Sequence, residues 1–285
     1  MSAAVAISGK TRLYGVIGHP VTHTLSPQLH NTGFNALGLE AVYLPFPVHP
    51  DQLQNAVRGM VALGVCGFNV TVPHKSAILP LLDEVSPLAQ RIGAVNTVRI
   101  SDGKLLGTNT DAPGFLRSLA PLDLELRGLR VGLLGAGGSA RALLAGLSES
   151  GAAQIFVCNR TPERVVALIS SLQPFAPETE MVVVSLSALA AQPLELLVNT
   201  TTVGMDGVSA PADLERFREV RNVVDIIYRP PQTPLLAQAQ RLGVPHLNGL
   251  GMLLHQGTEA FSFWTGKVAP EAEMRRALDS ALQTD

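Results

Sequence analysis

From Gly128 onward the chain repeats one pattern: a short run that is apolar at nearly every position, followed by a stretch with helical spacing. The apolar runs are Arg130–Leu134, Gln154–Cys158 and residues 181–184, 194–199, 223–227 and 244–247, with helical stretches at residues 139–150 and Pro162–Leu172. A strand that is apolar at consecutive positions has both faces covered, and alternation with helices supplies the covering layers. This half of the chain is therefore expected to form a doubly wound parallel sheet.

The preceding residues are also mixed α/β. Residues 13–17, 41–48 and 67–72 read as strands, the second as an edge strand because of Pro45 and Pro47. Helices are expected at residues 28–37, with Ser26-Pro27 as cap and first turn, and at residues 52–63, ended by Gly64. Ser101-Asp102-Gly103 joins strands 94–100 and 104–108 as a hairpin. A proline- and alanine-rich loop is expected at residues 174–180. The polar break over residues 119–128 suggests a two-domain α/β protein. Its parts are an N-terminal α/β domain (1–118), a Rossmann-type dinucleotide domain (119–249) and C-terminal helices (250–285) that pack back on the first domain. Those helices span residues 250–264 and 271–282, and Phe261, Phe263 and Trp264 are expected as their core aromatics.

Composition narrows the function. Net charge is −2 with no block of like charges, which argues against nucleic-acid or membrane-surface binding. No apolar run approaches the roughly 20 residues of a membrane span, and residues 1–10 lack the pattern of a signal peptide. A cytoplasmic protein is expected. Cys66 and Cys158 stand far apart without metal-ligand spacing and read as reduced core thiols.

The strongest local motif is Gly135-Ala136-Gly137-Gly138-Ser139-Ala140, which follows a strand and opens a helix. It has the G-x-G-x-x-A form of a dinucleotide fingerprint. Gly135 makes the tight turn, Gly137 lets the backbone approach a pyrophosphate, and Ala140 lets helix and strand pack closely. The helix start offers free N–H donors. The next strand ends in Asn159-Arg160-Thr161, with Arg164 one turn on, where NAD enzymes usually carry Asp or Glu. A guanidinium there suits a 2′-phosphate, so NADP is expected, with NAD the alternative if these arginines are merely solvated.

In the first domain polar residues gather at strand ends: Asn69 to Lys75, Gly93 to Thr97, and Gly107-Thr108-Asn109-Thr110-Asp111. Such groups converging suit a polyhydroxylated ligand. Lys75 and Asp111 together could move a proton at an alcohol carbon; a surface lysine and a helix-capping aspartate are the ordinary alternative.

The chain resembles the shikimate dehydrogenase family nearly end to end. The matching segments are Gly18-His19-Pro20, His23-Thr24-Leu25-Ser26-Pro27, His30-Asn31, Asn69 to Lys75, Ala94-Val95-Asn96-Thr97 and Gly107 to Asp111. They continue with Gly135 to Gly138, Asn159-Arg160-Thr161, Asn199 to Met205, Asp225 to Pro230 and Gly249 to Gln256. The resemblance implies that Lys75 and Asp111 are the catalytic pair, with Lys75 exchanging the proton at the substrate's 3-oxygen. It implies substrate contacts at Thr24, Ser26, Thr71, Asn96, Tyr228 and Gln256. An adenosine-phosphate clamp is implied at Asn159, Arg160, Thr161 and Arg164, and nicotinamide-end contacts at Thr200, Ile226, Gly249 and Met252. It makes His19, His23 and His30 turn and helix-cap residues, not metal ligands. The implied activity is reversible reduction of 3-dehydroshikimate to shikimate, a step of aromatic amino acid biosynthesis, in a cleft between the domains of a monomer or homodimer. Thr24 and His74 depart from the common pattern, and quinate and aminoshikimate enzymes share these motifs. A metabolite or cofactor sensor would not need both Lys75 and Asp111, and the segments around them disfavour a folate-linked dehydrogenase.

Overall fold

The computed structural model describes residues 7–283, so most of the 1–10 segment lies outside the described residues. In chain order the elements are β1 (Arg12–Gly18), α1 (Ser26–Ala36), β2 (Ala41–Pro47), α2 (Leu53–Ala62), β3 (Gly67–Val70), β4 (Glu84–Val85), α3 (Pro87–Ile92), β5 (Thr97–Ser101) and β6 (Lys104–Thr108). Then come α4 (Asp111–Ser118), β7 (Arg130–Leu134), α5 (Gly138–Glu149), β8 (Gln154–Cys158), α6 (Pro162–Leu172), β9 (Glu180–Val183), α7 (Leu186–Ala190), β10 (Pro193–Leu194) and β11 (Leu196–Asn199). The last are β12 (Glu219–Val220), β13 (Val223–Asp225), α8 (Pro234–Arg241), β14 (His246–Leu247), α9 (Leu250–Thr265) and α10 (Glu271–Gln283). The chain divides into two compact units: one runs up to Thr110 and resumes at Leu253, the other is Asp111–Met252.

The first unit is a six-stranded mixed sheet in the order β2-β1-β3-β5-β6-β4. Alternation along β1 decides its two faces. Leu13 and Ile17 join Phe68, Val70, Val57 and Met60 in a core under α2. Tyr14 and Tyr43 instead meet an aromatic layer in which Trp264 lies 5.4 Å from Tyr14 and Phe261 lies 5.3 Å from Phe34. The indole N–H of Trp264 donates to the Val98 carbonyl at 2.9 Å, which fixes α9 on the sheet. The C-terminal helices thus pack on the first sheet, as expected. Phe263, however, is only half-buried and lies beneath the Arg99 guanidinium, 5.0 Å from ring centroid to charge.

The second unit is an all-parallel sheet in the order β9-β8-β7-β11-β13-β14, the reversing order of a doubly wound dinucleotide fold. Leu134, Phe156, Leu197, Val223 and Leu235 form the core on one face. The alternate residues Val131, Leu133, Ile155, Val157 and Val198 are equally buried, so the uninterrupted apolar runs follow from two covered faces.

Several expectations are corrected. Ser26 is the first residue of α1, not its cap; Leu25 holds the cap position, and the Thr24 hydroxyl accepts from the Ser26 N–H at 3.3 Å. His30 is no cap either, since it lies mid-helix and is fully buried. The 94–100 strand starts only at Thr97, because Val95 N–H turns away to the Lys75 carbonyl at 2.8 Å. The 194–199 run breaks at Glu195, whose carboxylate takes the Arg130 guanidinium at 2.6 Å. Cys66 and Cys158 are free but half-buried, not core. Among the described residues no helix is long and apolar enough to cross a membrane.

Candidate functional site

In the second unit the sheet order reverses between β7 and β11, and the glycine turn leaves the carboxyl end of β7 there. Gly135 has φ +114°, and a Cβ on it would stand 2.4 Å from Thr200 Oγ1. Only glycine fits both constraints. Thr200 itself is anchored to β7: its N–H and its hydroxyl both donate to the Leu134 carbonyl, at 2.8 and 2.7 Å. Gly137, by contrast, faces open space, with nothing within 4 Å of where its Cβ would be. It is the cap residue of α5 and, lacking a side chain, makes no cap hydrogen bond to the first-turn N–H groups. These donors and the room before them fit a pyrophosphate. Ala136 lies in the turn, Gly138 and Ser139 open α5, and Ala140 in the first turn of that helix is fully buried.

Beside this turn, the end of β8 places Asn159 and Thr161 half-buried, with the Asn159 amide donating to the Thr161 carbonyl at 3.0 Å. Arg160 and Arg164 are exposed at the start of α6. An exposed, hydrated guanidinium pair next to a helix start can take a phosphate without first losing another partner's geometry.

The other strand ends carry the remaining positions. Ile226 N–H donates to Asn199 O at 3.1 Å, and Gly249 N–H donates to Ile227 O at 3.0 Å. A Cβ on Gly249 would be 1.8 Å from the Ile226 carbonyl, so this approach requires glycine. Met252 is buried and Tyr228 half-buried. Thr200, Ile226 and Gly249 are thus brought together by backbone contacts at one edge of the sheet.

In the first unit, Lys75 is 8% exposed, and its carbonyl accepts from Val95, which joins the Lys75 loop to the Asn96 segment. Its neighbour His74 is buried, with Nε2 2.8 Å from the Val48 carbonyl, so the loop is pinned on both sides. The amide of Asn96 is oriented by Thr110: Thr110 N–H donates to Oδ1 at 2.7 Å and Nδ2 donates to the Thr110 hydroxyl at 3.0 Å. Asn69 extends the network, accepting from the Tyr43 hydroxyl at 2.6 Å and donating to Thr97 Oγ1 at 3.1 Å. Thr71 is half-buried at the turn after β3. Thr24 donates its hydroxyl to Ser26 Oγ at 3.1 Å, and Gln256 on α9 donates to Leu253 O at 2.9 Å. Asp111, 5% exposed, is the first residue of α4 and of the second unit.

Asn199 and Asp225 stand in the matching segments without an implied role, and sequence reasoning passed over Thr233; the Asp225 carboxylate accepts from both the Asn199 amide and the Thr233 hydroxyl beneath the strand ends. For Thr233 the signal was Thr233-Pro234, a helix-start pattern. Among the described residues no group of three or more His, Cys, Asp or Glu is placed to hold a metal ion.

Comparison with known proteins gives a consistent answer along the chain. Residues 16–98 match the family model of the shikimate dehydrogenase substrate binding domain. Residues 118–202 match that of shikimate / quinate 5-dehydrogenase, and residues 249–278 that of the shikimate 5′-dehydrogenase C-terminal domain. A shikimate dehydrogenase (NADP(+)) of Citrifermentans bemidjiense is 46% identical over 286 residues, covering 98% of this chain and 99% of its own. The crystal structure of Aquifex aeolicus shikimate dehydrogenase has a TM-score of 0.88 and 41% identity, covering 96% of this chain and 99% of that one. The Thermus thermophilus shikimate 5-dehydrogenase in complex with NADP(H) and shikimate has a TM-score of 0.86 and 40% identity, covering 95% and 100%. With a parallel sheet reversing at a glycine-only turn and relatives matched from end to end, the chain belongs to the shikimate dehydrogenase family.

Proposed function

We propose that this protein is an NADP-dependent oxidoreductase that reversibly reduces 3-dehydroshikimate to shikimate. The observation that carries this reading is the full-length match to relatives named for that activity. The open, uncapped start of α5 beside Gly137 supports the cofactor assignment.

On this reading residues 135–140 receive the pyrophosphate, and Arg160 and Arg164 take the 2′-phosphate, with Asn159 and Thr161 beside the adenosine. Thr200, Ile226, Gly249 and Met252 border the nicotinamide. The bound cofactor supplies or takes the hydride at the substrate's carbinol carbon. The chain's own work is to hold the ring and move the proton. Thr24 and Ser26 bind the carboxylate, while Thr71, Asn96, Tyr228 and Gln256 position the ring and its hydroxyls. Lys75 gives a proton to the 3-oxygen as the ketone becomes an alcohol and takes it back in reverse, with Asp111 holding and tuning the ammonium. Burial of Lys75 limits its exchange with bulk water and keeps its position defined. The protein acts in the cytoplasm as a monomer or homodimer.

Initial rates with shikimate, quinate and aminoshikimate, each with NADP and NAD, test this. Shikimate with NADP is expected to give the highest kcat/KM; a faster reaction with quinate or aminoshikimate, or with NAD, overturns the assignment. The Lys75→Ala protein is expected to fold and bind cofactor while losing about 10²- to 10⁴-fold in turnover; full activity rules out its role.

A further inference from the structure

Asp225 is a fully buried carboxylate at the end of β13, in register with Asn199 at the end of β11. Its two oxygens reach three segments at the sheet's carboxyl edge. Oδ1 accepts from the Asn199 amide at 3.0 Å and from the Ile227 N–H at 3.1 Å. Oδ2 accepts from the Thr233 hydroxyl at 2.7 Å.

Each partner fixes something further. The Ile227 bond closes a turn around Ile226, whose N–H is held by Asn199 O and whose carbonyl abuts Gly249. Asn199 Oδ1 accepts from the Thr201 N–H and hydroxyl at 3.0 and 2.8 Å, and its amide also donates to Val203 O at 3.1 Å. That shapes the loop leaving Thr200. Thr233 accepts from Leu236 N–H at 3.4 Å and so caps α8.

Burying a carboxylate is costly, and an apolar residue of similar size would serve packing alone at least as well. Its worth lies in what three donors converging on one group can do. They tie together three segments, after Asn199, after Asp225 and at the start of α8, just past the last β11–β13 ladder pair, where side-chain bonds take over from the ladder. Two of these segments contain Thr200 and Ile226. We propose that Asp225 is a positioning residue that sets Thr200 and Ile226 in the geometry that receives the nicotinamide end of the cofactor. This rests on the reading of the second unit as the NADP site. It adds a residue that touches neither cofactor nor substrate but governs hydride geometry.

The test uses the full-length enzyme and the variants D225N, T233V and T233S. D225N keeps shape: its Oδ1 still accepts from Asn199 and Ile227, and its amide faces a Thr233 hydroxyl that must turn round. Three readouts are taken: the Kd of 2′,5′-ADP, which probes only the adenosine end; kcat and KM; and the primary isotope effect with 4-deuterated NADPH. For D225N the affinity for 2′,5′-ADP should stay within about twofold while kcat falls about ten- to hundredfold, the loss that small misplacements of reacting groups cause. The isotope effect should rise as hydride transfer becomes limiting. T233V should show a smaller loss of the same kind, and T233S should restore wild-type values. A D225N enzyme with a lower Tm but unchanged kcat and isotope effect overturns the proposal, as does an equal loss at the adenosine end. If D225N does not fold, T233V against T233S decides in the same terms. Failure of the underlying reading is visible separately: the wild-type chain would then neither bind 2′,5′-ADP nor turn over with NADP, which overturns both.

Discussion

A Cβ on Gly135 would lie 2.4 Å from the hydroxyl of Thr200, which is itself bonded to the Leu134 carbonyl one residue before the glycine. The turn and its neighbour strand end therefore leave no space for any side chain, and φ +114° is strained for any other residue. Gly135→Ala is expected to lose stability by about 1–3 kcal/mol from backbone strain alone. Gly137→Ala, whose methyl meets no protein atom, should keep its Tm but raise KM for NADP, because on the proposed reading the methyl fills space the pyrophosphate needs. Thermal unfolding and steady-state kinetics of the two variants check this. If Gly135→Ala matches wild type in Tm, the turn is looser than its geometry states.

On the proposed reading the 2′-phosphate of NADP meets two exposed arginines, Arg160 and Arg164. A charge-assisted hydrogen bond contributes roughly 1.5–3 kcal/mol, so Arg160→Ala should raise KM for NADP by about ten- to hundredfold. KM for NAD should change little, because NAD has no 2′-phosphate. At high salt the wild-type preference for NADP should shrink, since exposed charges are screened within about 10 Å at 0.1 M. Unchanged KM for NADP in the variant removes Arg160 from the site.

Much of this was legible in the sequence because it rests on short-range rules. The apolar runs at Arg130–Leu134 and Gln154–Cys158 and the helix Pro162–Leu172 lie where the pattern puts them. The Asp102-Gly103 hairpin has both central residues at positive φ, as its two-residue turn demands. Short helices were missed: α3, α7 and α8 are each started by a hydroxyl cap at Ser86, Ser185 and Thr233 but are too brief to show a period. The end of β13 at Asp225 and the start of β5 at Thr97 were misjudged for a different reason. The apolar pattern continues past both boundaries, yet the Asp225 carboxylate captures the Ile227 N–H and the Lys75 carbonyl captures the Val95 N–H. Motif residues could be quoted from the sequence, but not that Asp225 bonds Asn199 and Thr233, because hydrogen-bond partners 26 and 8 residues away leave no local trace.

Thr24 accepts the Ser26 N–H at 3.3 Å and donates to the Ser26 hydroxyl at 3.1 Å, so one oxygen orders the turn and aligns the second hydroxyl. Thr24→Val keeps the shape and removes that oxygen. It is expected to raise KM for shikimate about tenfold with kcat nearly unchanged, the pattern of lost binding that is equal in ground state and transition state. Thr24→Ser, which retains the hydroxyl, should remain within about threefold of wild type on both constants. A fall in kcat without a change in KM for Thr24→Val would place this residue at the chemical step instead.

His30 links the aromatic layer to acid stability. Its ring stacks on Tyr43 at 4.5 Å and lies 5.0 Å from Trp264, and neither nitrogen has a hydrogen-bond partner among the described residues. Burial pushes its pKa down from 6.5 to about 3, an effect the neighbouring Asn69 side chain offsets only in part. The folded protein therefore holds this imidazole neutral, while the unfolded chain takes up a proton below its ordinary pKa. The stability from this group is complete above about pH 6.5 and is lost progressively as pH falls towards 3. The slope approaches about 1.4 kcal/mol per pH unit in that window. His30→Phe keeps an aromatic ring against Tyr43 and removes both nitrogens. Denaturant unfolding of the two proteins at pH 7 and pH 5 is the measurement. The wild type should lose about 1–2 kcal/mol more than the variant across that interval. Equal losses would mean that His30 reaches a proton acceptor or solvent in the folded state, and that the aromatic layer carries no pH-dependent stability.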